Sequence, residues 1–172
     1  MRIGFIGLGN VGGKLAGSLQ RNGFDLMVRD LDQQVATPFI DRGAQWAESP
    51  AEMTRQTDMV ITCLPNPSAS AAVMEDQDGI LSEMADGKIW AEMSTTDEHE
   101  VKRLGKQVLA AGGEAIDCPV SGGCHRAATG NISIFVGTDR DTFDRALPVI
   151  SAMGRQILHT GPLGSASLLK VI

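Results

Sequence analysis

Along the chain, short apolar runs alternate with segments whose apolar residues recur at helical spacing. The alternation predicts strands at residues 2–6, 24–28, 59–64, 88–93, 114–117, 132–136 and 156–159. Helices are expected at 11–21, 31–41, 97–111 and 140–153. Strands separated by crossover helices imply an α/β fold of the Rossmann type: a doubly wound, mostly parallel sheet with helices on both faces and right-handed connections. No repeat, low-complexity tract or linker interrupts this order. Residues 161–172 read differently. Gly161-Pro162-Leu163-Gly164 is a turn cluster, and an apolar helix starts at Ser165 with Leu168, Leu169, Val171 and Ile172 and no stop signal after it. A chain that stops inside an element is expected to be a truncated or separately produced domain.

Composition narrows the chemistry. The chain has 172 residues, of which 42% are hydrophobic and 21% charged, values that exclude disorder and fibrous repeats. Its 20 glycines exceed the usual share of about 7%. Tyrosine is absent, which excludes mechanisms built on a phenolic acid or base. A net charge of −6 argues against a nucleic-acid partner. No apolar run reaches the ~20 residues of a membrane span, and glycine follows the start too soon for a secretory signal, so a cytoplasmic protein without a membrane partner is expected. Cys63, Cys118 and Cys124 are odd in number and lack C-x-x-C spacing, so neither a disulfide framework nor a metal site is expected. The adjacent Cys124 and His125 are expected to point apart in an extended segment.

One constellation is specific. Gly7-Leu8-Gly9-Asn10-Val11-Gly12 follows the first strand and opens the first helix. In such a loop Gly7 makes the tight turn, Gly9 lets the backbone approach a pyrophosphate, and Gly12 permits close helix packing, while the helix N-terminus offers free N–H groups to phosphate oxygens. Asp30 lies eighteen residues past Gly12 at the end of the second strand, where its carboxylate can take the hydroxyls of an adenine ribose. Residues 1–160 are therefore expected to form a dinucleotide-binding domain. Leu31 and Asp32 supply no cation for a 2′-phosphate, so NAD is expected over NADP. Arg29 is the reservation, because turned outward it could partly accommodate that phosphate.

Four further segments, read with this loop, resemble the β-hydroxyacid dehydrogenase family, which includes 3-hydroxyisobutyrate dehydrogenase, tartronate semialdehyde reductase and the related 6-phosphogluconate dehydrogenases. Cys63-Leu64-Pro65-Asn66-Pro67 resembles the family's leucine-proline turn along the cofactor, which implies that Leu64 and Pro65 wall it. Ser94-Thr95-Thr96 is similar to the turn beside the nicotinamide, with Thr95 the implied contact and helix capping by Thr96 the plainer alternative. Asp117-Cys118-Pro119-Val120-Ser121-Gly122-Gly123 resembles the substrate signature D-A-P-V-S-G-G, and a serine hydroxyl with successive glycine N–H groups suits a carboxylate. His125-Arg126 departs from the small residues usual there; these two could hold a second polar or anionic group, or could be a surface pair. Gly161-Pro162-Leu163-Gly164-Ser165-Ala166-Ser167-Leu168-Leu169-Lys170 is similar to the segment whose lysine is the acid/base, which makes Lys170 the implied catalyst. Residues 161–172 would then begin the interdomain helix.

The resemblance implies an NAD-dependent oxidoreductase acting on a small 3-hydroxy acid or the corresponding semialdehyde carboxylate. It also implies an all-helical second domain and a homo-oligomer for the full-length enzyme. The family's asparagine one turn beyond the lysine is not in this sequence, so the chain alone is expected to bind NAD with little or no turnover. A dinucleotide sensor without chemistry and a decarboxylating 6-phosphogluconate dehydrogenase are the alternatives.

Overall fold

The computed structural model describes all 172 residues. Its elements follow the order β1 (Arg2–Ile6), α1 (Asn10–Arg21), β2 (Asp25–Arg29), α2 (Thr37–Asp41), β3 (Gln45–Trp46), α3 (Pro50–Gln56), β4 (Met59–Thr62), α4 (Pro67–Glu75), β5 (Ile89–Glu92), α5 (Glu98–Ala110), β6 (Glu114–Asp117), β7 (Val120–Ser121), α6 (Gly123–Ala128), β8 (Ile132–Gly137), α7 (Arg140–Met153), β9 (Gly154–Gly161) and α8 (Ser165–Val171). The strands lie in the order β3-β2-β1-β4-β5-β6-β8-β7, with β9 also pairing β8. Strands β1 to β6 run parallel; β8 is antiparallel to β6 and β7 and parallel to β9.

Side-chain alternation along each strand sorts the core into two layers. Ile3 and Phe5 of β1, Met59 and Ile61 of β4, and Ile89 and Ala91 of β5 face one cluster, which α1 and α7 cover with Leu15, Leu19, Val149 and Ile150. The intervening Ile6, Val60 and Trp90 face the other, closed by Met53, Met74, Leu104 and Val108. Burial on both faces is why these strands read as continuous apolar runs.

Three differences from the sequence reading have local causes. The helix expected over 31–41 is broken: Asp32 accepts a hydrogen bond from Gln34 N and starts a 3-10 turn, and the α-helical part restarts at Thr37 with Pro38 in its first turn. Helices α3 and α4 were not expected, although both carry readable start signals. Ser49 Oγ accepts from Glu52 N at 3.0 Å ahead of Pro50, and Asn66 Oδ1 accepts from Ala69 N at 2.8 Å ahead of Pro67. Cys124 and His125 sit on helix α6, not in an extended segment, so it is the helical turn that separates their side chains.

Strand register positions the site. Arg29, Ile6, Thr62, Glu92 and Asp117 are successive partners across β2, β1, β4, β5 and β6. These five parallel strands thus end on one line, and the residues just beyond it share one rim. The sheet order reverses at β1, with β2 on one side and β4 on the other, which opens a crevice above that rim.

Candidate dinucleotide and substrate site

Two glycines of the β1–α1 loop are required by the protein's own packing. Gly7 has φ +101°, and a Cβ there would lie 2.2 Å from the Cys63 carbonyl oxygen; a Cβ on Gly12 would lie 2.0 Å from that of Gly7. Gly9 is different. Its φ is −71°, and a Cβ would meet nothing within 4 Å. Neither backbone conformation nor an internal neighbour accounts for glycine there, whereas a group approaching from outside would.

The helix behind the loop fits that reading. Helix α1 starts at Gly9 with no side-chain cap and no acid in its first turn. By contrast, Ser49, Asn66, Asp97 and Asp139 cap α3, α4, α5 and α7. Its leading amides are left for an external acceptor.

A cleft of about 610 Å³ lies above the loop, lined by Gly9, Asn10, Val11, Asp30, Leu64 and Pro65 among others. Leu8 is absent from this wall. Its side chain is buried and its amide donates to Asp30 Oδ2 at 2.8 Å, while Asp30 Oδ1 accepts from Asp32 N at 3.0 Å. Each carboxylate oxygen keeps further acceptor capacity toward the cleft. Arg29 is tied back: its guanidinium donates to the carbonyls of Ala47 at 3.0 Å and Glu48 at 2.7 Å and lies over the Trp46 ring.

The far wall is fixed from below. Leu64 N donates to Ser94 Oγ at 2.7 Å, joining the turn after β4 to the turn after β5. Thr95 is exposed outside the cleft lining, Thr96 is buried, and α5 is capped by Asp97, whose Oδ1 accepts from His99 N. Burial, reinforced by Glu92, pushes the Cys63 thiol up to about 12.

At the β6 end, Asp117 is fully buried. Its two oxygens accept from Gly164 N and Ser167 N, both at 2.7 Å, so it caps α8 from far along the chain. Burial raises its carboxyl above the ordinary value, and these amides oppose the rise. Helix α8 in turn brings Lys170 Nζ to the Val120 carbonyl, immediately before Ser121. Ser121 is exposed, and Gly122 and Gly123 follow with φ +133° and +77°. The apolar neighbours of Lys170 do not enclose it: Leu168, Leu169, Val171 and Ile172 are all exposed. His125 is exposed on α6, and Arg126 turns into a shallow depression with Asn131, Arg155 and Gln156, apart from the main cleft. The capping role of Asp117 and the bridging role of Ser94 escaped the sequence reading, because both depend on partners distant in the chain: the start of α8 for Asp117 and the turn after β4 for Ser94.

A crevice at a topological switch point, an uncapped helix behind a glycine turn, and an acid closing the second strand define a Rossmann-type dinucleotide-binding domain. The chain belongs to the family described as the NAD binding domain of 6-phosphogluconate dehydrogenase, whose model matches residues 2–161. Among its relatives, mitochondrial 3-hydroxyisobutyrate dehydrogenase of Mus musculus is 35% identical over 98% of this chain and 50% of its own length. The NAD-dependent L-serine dehydrogenase of Pseudomonas aeruginosa is 35% identical over 99% of this chain and 57% of its own length. In structure, a Mycobacterium tuberculosis 3-hydroxyisobutyrate dehydrogenase solved with L-serine superposes with a TM-score of 0.92 at 28% identity, covering 99% of this chain and 58% of that one. The chain thus spans about half the length of the curated relatives it matches. None of its helices is long and apolar enough to cross a membrane.

Proposed function

We propose that the chain is the cofactor-binding part of an NAD-dependent oxidoreductase acting on a small 3-hydroxy acid. The observation that carries the reading is a convergence just past the end of β6: the Lys170 amine rests on the Val120 carbonyl next to Ser121-Gly122-Gly123, with β4 and β5 lying between β6 and the strand that leads into the glycine turn. In this reading Gly7, Gly9, Asn10, Val11 and Gly12 cradle the pyrophosphate, with Leu8 holding Asp30 in place. Asp30 takes the adenine ribose, and Leu64, Pro65 and Thr95 border the other half. NAD, when bound, supplies the hydride acceptor. Ser121 and the Gly122 and Gly123 amides hold the substrate carboxylate, with His125 at their edge. Lys170 takes the hydroxyl proton on oxidation and returns it to the carbonyl oxygen on reduction.

Residues 161–172 begin a helix toward a second, helical domain, and the exposed apolar edge of α8 is where that domain would pack. The complete enzyme is proposed to be a homo-oligomer. Its proposed compartment is the cytoplasm; cell fractionation distinguishes this from the mitochondrial location of several relatives.

NAD is favoured over NADP by the bound-back Arg29 and by Leu31, which is 101% exposed beside Asp30. That leaves a carboxylate where a 2′-phosphate would sit, and the Arg29 guanidinium bordering the cleft is held toward the Ala47 and Glu48 carbonyls. NADH is expected to bind at least about tenfold more tightly than NADPH, the equivalent of ~1.4 kcal/mol. Equal affinities in a fluorescence titration would overturn the assignment. For the chemistry, Lys170→Ala in the natural polypeptide carrying this sequence should lower kcat for 3-hydroxyisobutyrate or L-serine by about 10²–10⁴. NADH affinity should stay within about twofold. Full turnover without Lys170 would remove it from the mechanism.

A further inference from the structure

Beneath the cleft wall lies a buried carboxyl that the proposed reaction does not use. Glu92, the last residue of β5, is 1% exposed and takes part in no salt bridge. Its surroundings are hydroxyls and amides. Trp90 Nε1 donates to Thr62 Oγ1 at 3.0 Å, and Thr62 Oγ1 donates to Glu92 Oε1 at 3.0 Å. Ser94 N donates to the same Oε1 at 3.0 Å, while Ser94 Oγ accepts from Leu64 N at 2.7 Å.

The donor inventory fixes the direction of this network. An indole N–H and a backbone N–H can only donate, so each occupies a lone pair on its hydroxyl and leaves that hydroxyl's proton for another acceptor. The Thr62 hydroxyl proton is directed at Glu92, as is the Ser94 amide. The carboxyl is therefore the common end of two chains, one from Trp90 through Thr62 and one from Leu64 through Ser94. The second chain is the only side-chain hydrogen bond made to the backbone of Leu64, and it links that cleft residue to the turn bearing Thr95.

We infer that Glu92 is a positioning residue for the nicotinamide half of the dinucleotide: its Oε1 orients Ser94, which holds the Leu64-Pro65 wall at the distance the cofactor needs. The inference rests on the dinucleotide reading and deepens it. Strand order gives the selectivity. Asp30 follows β2 and the glycine turn follows β1, so the adenosine and pyrophosphate contacts lie on the side away from Glu92. Ser94 follows β5, about 14 Å from the Asp30 line at ~4.8 Å per strand. Disturbing Glu92 should affect one end of the ligand and spare the other.

The test measures NADH and ADP-ribose affinities of the 172-residue chain by fluorescence and calorimetry, with melting temperature alongside. Glu92→Gln keeps an oxygen acceptor in place and is expected to bind both ligands within about twofold of the parent. Glu92→Met keeps length without an acceptor and is expected to weaken NADH about tenfold while ADP-ribose stays within twofold. If the Met variant does not fold, Ser94→Ala, which removes only the bridging hydroxyl, carries the same expectation at about threefold or more. Parallel loss of NADH and ADP-ribose in the decisive variant would reduce Glu92 to general structural support and overturn the inference. So would unchanged NADH binding there, or a Gln variant as weak as Met. A folded parent that binds neither ligand overturns the cofactor reading itself and the positioning role with it.

Discussion

Replacing Gly9 and Gly12 separately with alanine should split binding from stability, although both belong to one short loop. At Gly12 the added Cβ would lie 2.0 Å from the Gly7 carbonyl oxygen, a backbone atom that cannot swing aside. Overpacking of this kind costs about 1–3 kcal/mol. A domain of this size shifts by about 2–4 °C per kcal/mol, so Gly12→Ala should melt about 2–12 °C lower. At Gly9 the Cβ would meet nothing within 4 Å and φ is −71°, so the folded state accepts alanine. Restricting the unfolded chain should then raise stability by about 0.4–1 kcal/mol. The same methyl would stand in the cleft where a phosphate must reach the amides of α1. Losing a hydrogen bond to a charged group costs about 1.5–3 kcal/mol, which is about 10- to 150-fold in affinity. Thermal unfolding followed by circular dichroism and NADH fluorescence titration read the two effects. If Gly9→Ala melted as low as Gly12→Ala, or bound NADH like the parent, the argument that Gly9 is reserved for a ligand would fail.

Three further outcomes are expected. Asp117→Ala should orphan the Gly164 and Ser167 amides and destabilise the chain by about 2–5 kcal/mol in urea unfolding, with hydrogen exchange rising first at α8; Asp117→Asn should lose about half as much, and no change in exchange at α8 would contradict the cap. Burial holds Glu92 above its ordinary carboxyl value of 4.5, so the folded chain binds more protons than the unfolded one. That contribution is complete below the unfolded value and is lost as pH rises through the folded value, so the melting temperature of Glu92→Gln should gain on the parent as pH increases from about 4.5. A pH-independent difference would refute it. Finally, a Cys63 thiol pushed up to about 12 is only about one part in ten thousand thiolate at pH 8. Cys118 is wholly buried, so mass spectrometry after brief alkylation should find Cys124 modified first; early labelling of Cys63 would count against its assigned environment.

The sequence by itself determined whatever is encoded within one turn or one strand. The apolar runs gave β1, β4 and β5 nearly to the residue, because strands buried on both faces are apolar along most of their length, with polar Thr62 and Glu92 only at the ends of β4 and β5. The loop after β1 was legible because its glycine spacing lies between one strand and the next helix; Gly12 is constrained by Gly7 in the same loop, although the neighbour that constrains Gly7, Cys63, comes from the turn after β4. The local signals missed, Ser49-Pro50 and Asn66-Pro67, were present but headed helices too short for a clear apolar period. Only the tertiary structure decided which groups meet across the rim. Arg29 could have faced a phosphate; the Ala47 and Glu48 carbonyls, brought alongside by β3, tie it back. Asp117 looked like part of a substrate motif, yet its carboxylate ends on the amides of a helix 47 and 50 residues later. Glu92 carried no signal at all, since its partners are a hydroxyl from β4 and a backbone amide from the turn after β5. A periodic pattern records which side of an element faces the core, but strand order and register choose its neighbours, and here those neighbours set the chemistry.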